Sequence, residues 1–328
     1  MSNRRRPFAL ALAAGLLVAT ASCSSDDATA ERSTTTTADA AASSTTVPAL
    51  EAACEGKRRH VLVVGIDGLR ADSIEPAEAP TLDELAASGT STMHAYAGGE
   101  LGTPTEQGTV SGPRWATILT GTWSNRHHVT DNEFATWKLV EPNFLQRIKD
   151  ADPEARIAAM EQWIPVRVLL DGAADRDDIG AGDLVASNAV DELGTQDPTV
   201  LFLHFDDVDH AGHDTGYGPD NPAYLEAVAS VDGHIAEVLD AVESRPDRGD
   251  ECWATIVITD HGGLGTGHGG QSPEERTIPF IVTGDGIEVA EVADGPGHDA
   301  VAPTVLTYLG VPIDDEWDWA EPFGVPAS

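Results

Sequence analysis

The chain has 328 residues, 41% of them hydrophobic and 23% charged, and a formal charge of −36 at neutral pH. With that charge, and Lys57, Lys138 and Lys149 as its only lysines, nucleic-acid polymers and anionic lipid surfaces are poor partners. The acidity reads as a solvated surface that favours solubility.

The first residues, MSNRRRPFALALAAGLLVATASC, combine a basic stretch (Arg4, Arg5, Arg6), an apolar run from Phe8 to Val18 and small residues before Cys23. This pattern predicts a secretory signal, too short to span a membrane. Because the small residues end on a cysteine, the stretch resembles a bacterial lipoprotein signal, although Thr20 replaces the usual aliphatic residue three before that cysteine. The resemblance implies a lipid on Cys23 as the sole membrane attachment, at the outer face of a bacterial cell. Ordinary cleavage would release the protein instead. Residues 24–54 open with Ser, Thr, Ala and Asp and little to bury, so they cannot offset their ordering entropy and predict a disordered tether. Residues 55–328 fit one large domain without internal repeats.

Within that domain His60–Ile66 is an apolar run that ends in Asp67-Gly68. Pro80–Ser88 carries Pro at its start and Gly89 past its end, the signature of a helix. Ser111 precedes Gly112-Pro113 and an apolar helix, which places it at a helix N-terminus. There it is either a capping residue or, beside a metal, a nucleophile. Thr199–Phe205 is a second buried strand, continuing into Asp206-Asp207-Val208-Asp209-His210 and His213, with Asp209 and His213 four apart on one helical face. A long helix over Asn221–Glu243 repeats Tyr224, Val228, Val231, Ile235, Val238 and Val242 as a core stripe.

Ala254–Thr259 is a third strand, and it delivers Asp260 and His261 into a glycine-rich stretch that holds His268. A strand at Thr277–Thr283 and a helix at Ala302–Leu309 close the alternation, which predicts a doubly wound α/β/α sandwich with a mainly parallel central sheet. Parallel strands end on one edge, so the three groups of carboxylates and imidazoles converge. Carboxylates crowded in a crevice need counter-charge, and divalent ions supply it. The mixed carboxylate and imidazole set suits Zn²⁺ best, with Mn²⁺ or Fe as alternatives.

VLVVGIDG, the serine two places before a proline and then LTG, the D-x-x-G-H-x-x-G at Asp209–Gly216, and TDHG together resemble the alkaline phosphatase superfamily, in particular its type I phosphodiesterase/nucleotide pyrophosphatase branch. The likeness spans about residues 58–310. It implies an alkaline phosphatase-like fold and two divalent ions. One would be held by Asp67, Ser111, Asp260 and His261, the other by Asp209, His213 and His268. His298 competes for the last position, because the classical members of the branch carry that histidine further downstream. GHGGQSPEER followed by IPFIVTG instead resembles phosphoethanolamine-transferring relatives. The implied reaction is attack by Ser111 on phosphorus through a phosphoseryl intermediate, with Asn132 and the Gly112 N–H holding non-bridging oxygens. Hydrolysis of phosphodiesters or nucleotide pyrophosphates is the leading expectation.

A phosphomonoesterase or phosphoryl transferase shares the core site. Sulfatases share the fold, but they place an arginine four residues after the nucleophile, where Trp115 stands here. A metal-binding lipoprotein without catalysis is the non-enzymatic alternative. Arg114, Trp115, Trp123 and Trp137 are candidates for leaving-group contacts or for core packing. The resemblance assigns Asp67 and Asp260 to one ion, so their strands must end close together. If those strands are parallel, Cys54 and Cys252 also lie near each other at the amino ends. A disulfide between them is expected in an exported chain, contributing on the order of 4 to 5 kcal/mol in the chain-entropy model.

Overall fold

The computed structural model describes residues 49–313 and 319–325. The signal, Cys23 and most of the stretch expected to be a tether lie outside them. Its final residues are ordered: Ala49–Ala53 is a short helix with Leu50 buried.

Runs of β-branched and apolar residues form the central strands, as their fit to a buried pleated surface requires. In chain order the strands are β1 (Arg58–Ile66), β2 (Thr90–Tyr96), β3 (Ile157–Glu161), β4 (Arg176–Ile179), β5 (Val200–Phe205), β6 (Glu251–Ile258), β7 (Thr277–Gly284) and β8 (Ala290–Glu291). They make one sheet in the order β4-β3-β5-β1-β6-β7-β2-β8. From β4 to β6 every pairing is parallel; β7 is antiparallel to both β6 and β2. The three strands expected to deliver carboxylates, β5, β1 and β6, are therefore neighbours at the centre. β3 and β4 were not expected from sequence: β3 is rich in alanine, and β4 is an edge strand of the sequence RDDI.

Alternate residues of β1 enter opposite layers, as the two-residue period demands. Val61 and Val63 join a core beneath the helices Ser111–Thr120, Phe144–Ala151, Ile164–Leu170 and Val301–Leu309. Leu62, Val64 and Ile66 join the other, beneath Pro80–Ser88, Gly182–Thr195 and Pro222–Glu243. Gly65 interrupts the first layer for a steric reason, since a Cβ there would lie 2.4 Å from the Trp115 ring. Trp115 thus settles on the sheet two residues before Asp67. At the opposite ends of the same strands Arg59 pairs with Cys252, and the Cys54–Cys252 disulfide is formed with a Cα separation of 5.7 Å.

Candidate active site

Three aspartates reach one crevice by two routes. Asp67 and Asp260 follow the ends of β1 and β6, while Asp209 and His213 project from one face of the helix Asp207–Thr215 that follows β5. Ligand-type atoms of Asp67, Asp260 and His261 lie within 4.8 Å of one another, and so do those of Asp209, His261 and His268. His213 Nε2 completes the second group, 3.4 Å from Asp209 Oδ2 and 3.1 Å from His268 Nε2. All seven residues expected as ligands, Ser111 included, therefore border one space.

The three imidazoles are oriented alike. The Nδ1 atoms of His213, His261 and His268 face the backbone carbonyls of Thr266, Gly262 and Thr109 at 3.0, 2.8 and 2.5 Å. A carbonyl can only accept, so each Nδ1 carries the proton and each Nε2 turns a lone pair inward. At 3.1 Å the lone pairs of His213 and His268 repel unless a cation lies between them. The carboxylates have the same need. Asp67 Oδ1 and Asp260 Oδ2 are buried without a hydrogen-bond partner. Burial, then the Asp67 and Asp209 charges, pushes the Asp260 carboxyl well above its usual range, and burial with the Asp67 charge lifts Asp209 to about 8. Burial and the neighbouring His268 hold His261 well below its usual range, which suits a neutral ligand. The donor set fits divalent metal ions.

Ser111 is the first residue of its helix; the capping position is Val110, so capping does not account for the serine. Its Oγ lies 3.2 Å from His261 Nε2, at the helix end whose free N–H groups favour negative charge. Asn132 is exposed, and its Oδ1 accepts the Gly112 N–H at 2.7 Å. This corrects one expectation: the two groups expected to hold a ligand oxygen side by side are bonded to each other. Since an N–H must face the amide oxygen, the Asn132 NH₂ is the end left to donate.

His298 lies near His261 and the Thr259 backbone but joins none of the ligand-type clusters among the described residues. It is fully buried against Trp123, with ring centroids 5.3 Å apart, while His268 borders Asp209 and His213. Arg114 and Trp115 are fully buried and belong to the core, not to a leaving-group surface. The Arg114 guanidinium donates to the Gly108 and Gln107 carbonyls, and burial lowers it to about 9. Trp137 packs over Gly112, where a Cβ would lie 2.3 Å from its ring.

Three residues that bear on the site, Trp115, His204 and Tyr217, went unread as such in the sequence. Trp115 Nε1 and His204 Nε2 meet Asp67 Oδ2 at 2.9 and 3.3 Å. Burial alone would raise Asp67, but the hydrogen bonds from His204 and Trp115 hold it below the usual carboxylate range. Tyr217 donates to Asp209 Oδ1 at 2.5 Å, and Asp206 pairs with His210 at 3.0 Å. A histidine inside the apolar run LFLHF was the one local signal among them.

The profile of the family described as type I phosphodiesterase / nucleotide pyrophosphatase matches residues 61–170 and 158–268. GPI ethanolamine phosphate transferase 1 of Yarrowia lipolytica is 27% identical over 271 residues, 74% of this chain and 28% of that protein, so the chain spans less than a third of its length. Among solved structures, a 2-O GAG sulfatase superposes with a TM-score of 0.65 at 15% identity, covering 81% of this chain and 73% of the other. Murine ectonucleotide pyrophosphatase / phosphodiesterase 5, an inactive form in complex with AMP, gives 0.57 at 13%, covering 83% and 97%. At these identities the structural likenesses speak for the fold.

Proposed function

Because the chain belongs to the type I phosphodiesterase/nucleotide pyrophosphatase family of the alkaline phosphatase superfamily, whose members are phosphoester hydrolases and transferases, we propose that it hydrolyses phosphodiesters or nucleotide pyrophosphates with Ser111 as nucleophile. The observation that carries this reading is the set of three inward Nε2 atoms and two unpartnered carboxylate oxygens gathered beside Ser111 Oγ.

Asp67, Ser111, Asp260 and His261 would hold one divalent ion and Asp209, His213 and His268 the other, with Zn²⁺ favoured by the donor types. Bound there, the ions supply positive charge that lowers the hydroxyl pKa and stabilises the entering and leaving oxygens. Ser111, its proton passed to solvent, forms the Oγ–P bond as the bond to the leaving alcohol, or to the leaving phosphate of a pyrophosphate, breaks; water then attacks phosphorus, the P–Oγ bond breaks, a phosphate monoester leaves and the hydroxyl is regenerated. The helix N-terminus favours the charge that develops on Oγ. The Asn132 NH₂ donates to a non-bridging oxygen, held in place by the Gly112 N–H on its carbonyl. Activity at the outer face of the cell, or after secretion, is part of the same proposal and rests on the amino-terminal signal.

A second reading is transfer of the phosphoryl group to an alcohol in place of water, supported by the transferase from Yarrowia that matches 74% of this chain. Assay of the purified protein on aryl phosphodiesters, monoesters and sulfates, with and without acceptor alcohols, tests both. Diester cleavage that is lost to a chelator and restored by Zn²⁺ is expected. Faster sulfate cleavage, or cleavage indifferent to chelators, refutes the reading; product partitioning to the alcohol selects the transferase.

A further inference from the structure

Tyr217 occupies an unusual seat. Gly216 and Gly218 on either side have φ of +110° and +121°, backbone that side chains resist, and this turn drives the ring inward until it is 7% exposed. Its ring fills the space of two missing side chains. A Cβ on Gly212 would lie 2.3 Å from Cε1, and one on Gly263 would lie 2.4 Å from Cγ. The ring thus joins the helix that bears Asp209 and His213 to the loop that bears His261 and His268. The Tyr217 N–H adds a bond to the Gly265 carbonyl at 2.7 Å.

The hydroxyl reaches Asp209 Oδ1 at 2.5 Å, and Gly68 closes the other side, where a Cβ would lie 2.7 Å from the same oxygen. With Oδ1 fixed, Oδ2 faces His213 Nε2 at 3.4 Å, while His268 Nε2 stands off at 3.9 Å from Oδ1, the oxygen already taken by the phenol. From this geometry we propose that Tyr217 is a positioning residue for the ion held by Asp209, His213 and His268, turning the Asp209 carboxylate so that Oδ2 is the ligand atom. The glycine of the D-x-x-G-H segment, Gly212, is then required because the Tyr217 ring lies against it. This inference rests on the two-ion reading above.

Tyr217→Phe keeps the ring and removes only the donor. Zn²⁺ binding to chelator-stripped protein, followed by competition with a chromophoric chelator, should resolve two ions in the wild type. In Y217F one of them should weaken by about tenfold to a hundredfold. It should be the same ion that His213→Ala weakens, while the ion sensitive to Asp67→Asn stays unchanged. Gly212→Ala, which displaces the ring, should weaken the same ion. Two ions of unchanged affinity in Y217F, or equal weakening of both, overturns this inference alone. A wild-type chain that takes up a single ion overturns the two-ion reading and this inference with it.

Discussion

At the amino ends of β1 and β6, Glu251 is bound by Arg245 at 2.9 Å, by Arg58 at 3.2 Å and by the Trp253 indole at 2.7 Å, with Asp197 2.6 Å from Arg245. At the carboxyl ends of the same strands, Asp67, Asp209 and Asp260 receive bonds from an indole, imidazole, a phenol and a backbone N–H, but not from a guanidinium. Both ends gather metal-ligand atoms: those of His60, Asp197 and Glu251 also lie within 4.8 Å of one another. Arginines neutralise that group from within the protein, and the Cys54–Cys252 disulfide staples the same edge. The comparison teaches that a carboxylate cluster is a candidate binding site when its charge is left uncompensated. On the function proposed above, one edge of the sheet serves stability and the other chemistry.

Four experiments would break or sharpen that division. Ser111→Ala should lower diester turnover at least about a thousandfold while the fold persists. Thr109→Ala should be far milder, because its carbonyl, which receives His268, is backbone. Retained activity in S111A, measured by steady-state kinetics, would remove the nucleophile from the carboxyl edge.

At the other edge, replacing Cys54 and Cys252 by serine should cost up to about 4 to 5 kcal/mol in the chain-entropy model, since the bridge closes a separation of 198 residues. Denaturant unfolding reads that loss, and kcat/KM should stay within about twofold. Comparable losses in both would mean that the two edges are coupled.

Metal analysis of single variants comes next. His268→Ala should weaken one ion by at least about tenfold, whereas His298→Ala, altering a buried ring that belongs to none of the ligand-type clusters, should leave both ions in place. The reverse result would exchange the two histidines in the ligand set.

The smallest effect is in pH dependence, where the edges should differ in sign. Burial opposes ionisation of Glu251, but Arg245 and Trp253 bring it down to about 2. A depressed carboxyl stabilises the fold above its unfolded value near 4.5, and that contribution, about 2 kcal/mol after screening at the exposed Arg58 and Asp197, is lost as pH falls from there towards 2. Asp209, raised to about 8, keeps its proton in the fold while the unfolded chain releases it. In the metal-free protein the Asp209 contribution should therefore fall as pH rises from about 4 to 8, opposed by His261, which the fold keeps neutral and which adds stability as pH rises through its unfolded value near 6.5, and Zn²⁺ should remove the Asp209 loss. Thermal melts across pH with and without chelator measure both slopes; equal slopes with and without metal would contradict the assignment.

Much of the site was legible because its signals are local. An apolar run that stops at an aspartate marks a strand end, as at Asp67 and Asp260, and a four-residue spacing puts Asp209 and His213 on one helical face. Parallel pairing then gathers these groups at one edge without knowledge of the strand order. The disulfide followed from the same pairing together with the family resemblance. The residues that aim those groups were hidden, because nothing local distinguishes Trp115 or Tyr217 from core aromatics.

Trp115 meets Asp67 only because Gly65 admits its ring to the sheet, and Tyr217 meets Asp209 only because Gly212 and Gly263 leave it room. The choice between His268 and His298 was equally non-local, since both lie beyond the same strand and only chain folding decides which turns back. Sequence alone determined which groups arrive at the edge, since strand length and helical period are properties of neighbouring residues. Tertiary packing decided how each is oriented and which cluster is bound by guanidinium groups, since those depend on side chains as much as 193 residues apart, as Arg58 and Glu251 are.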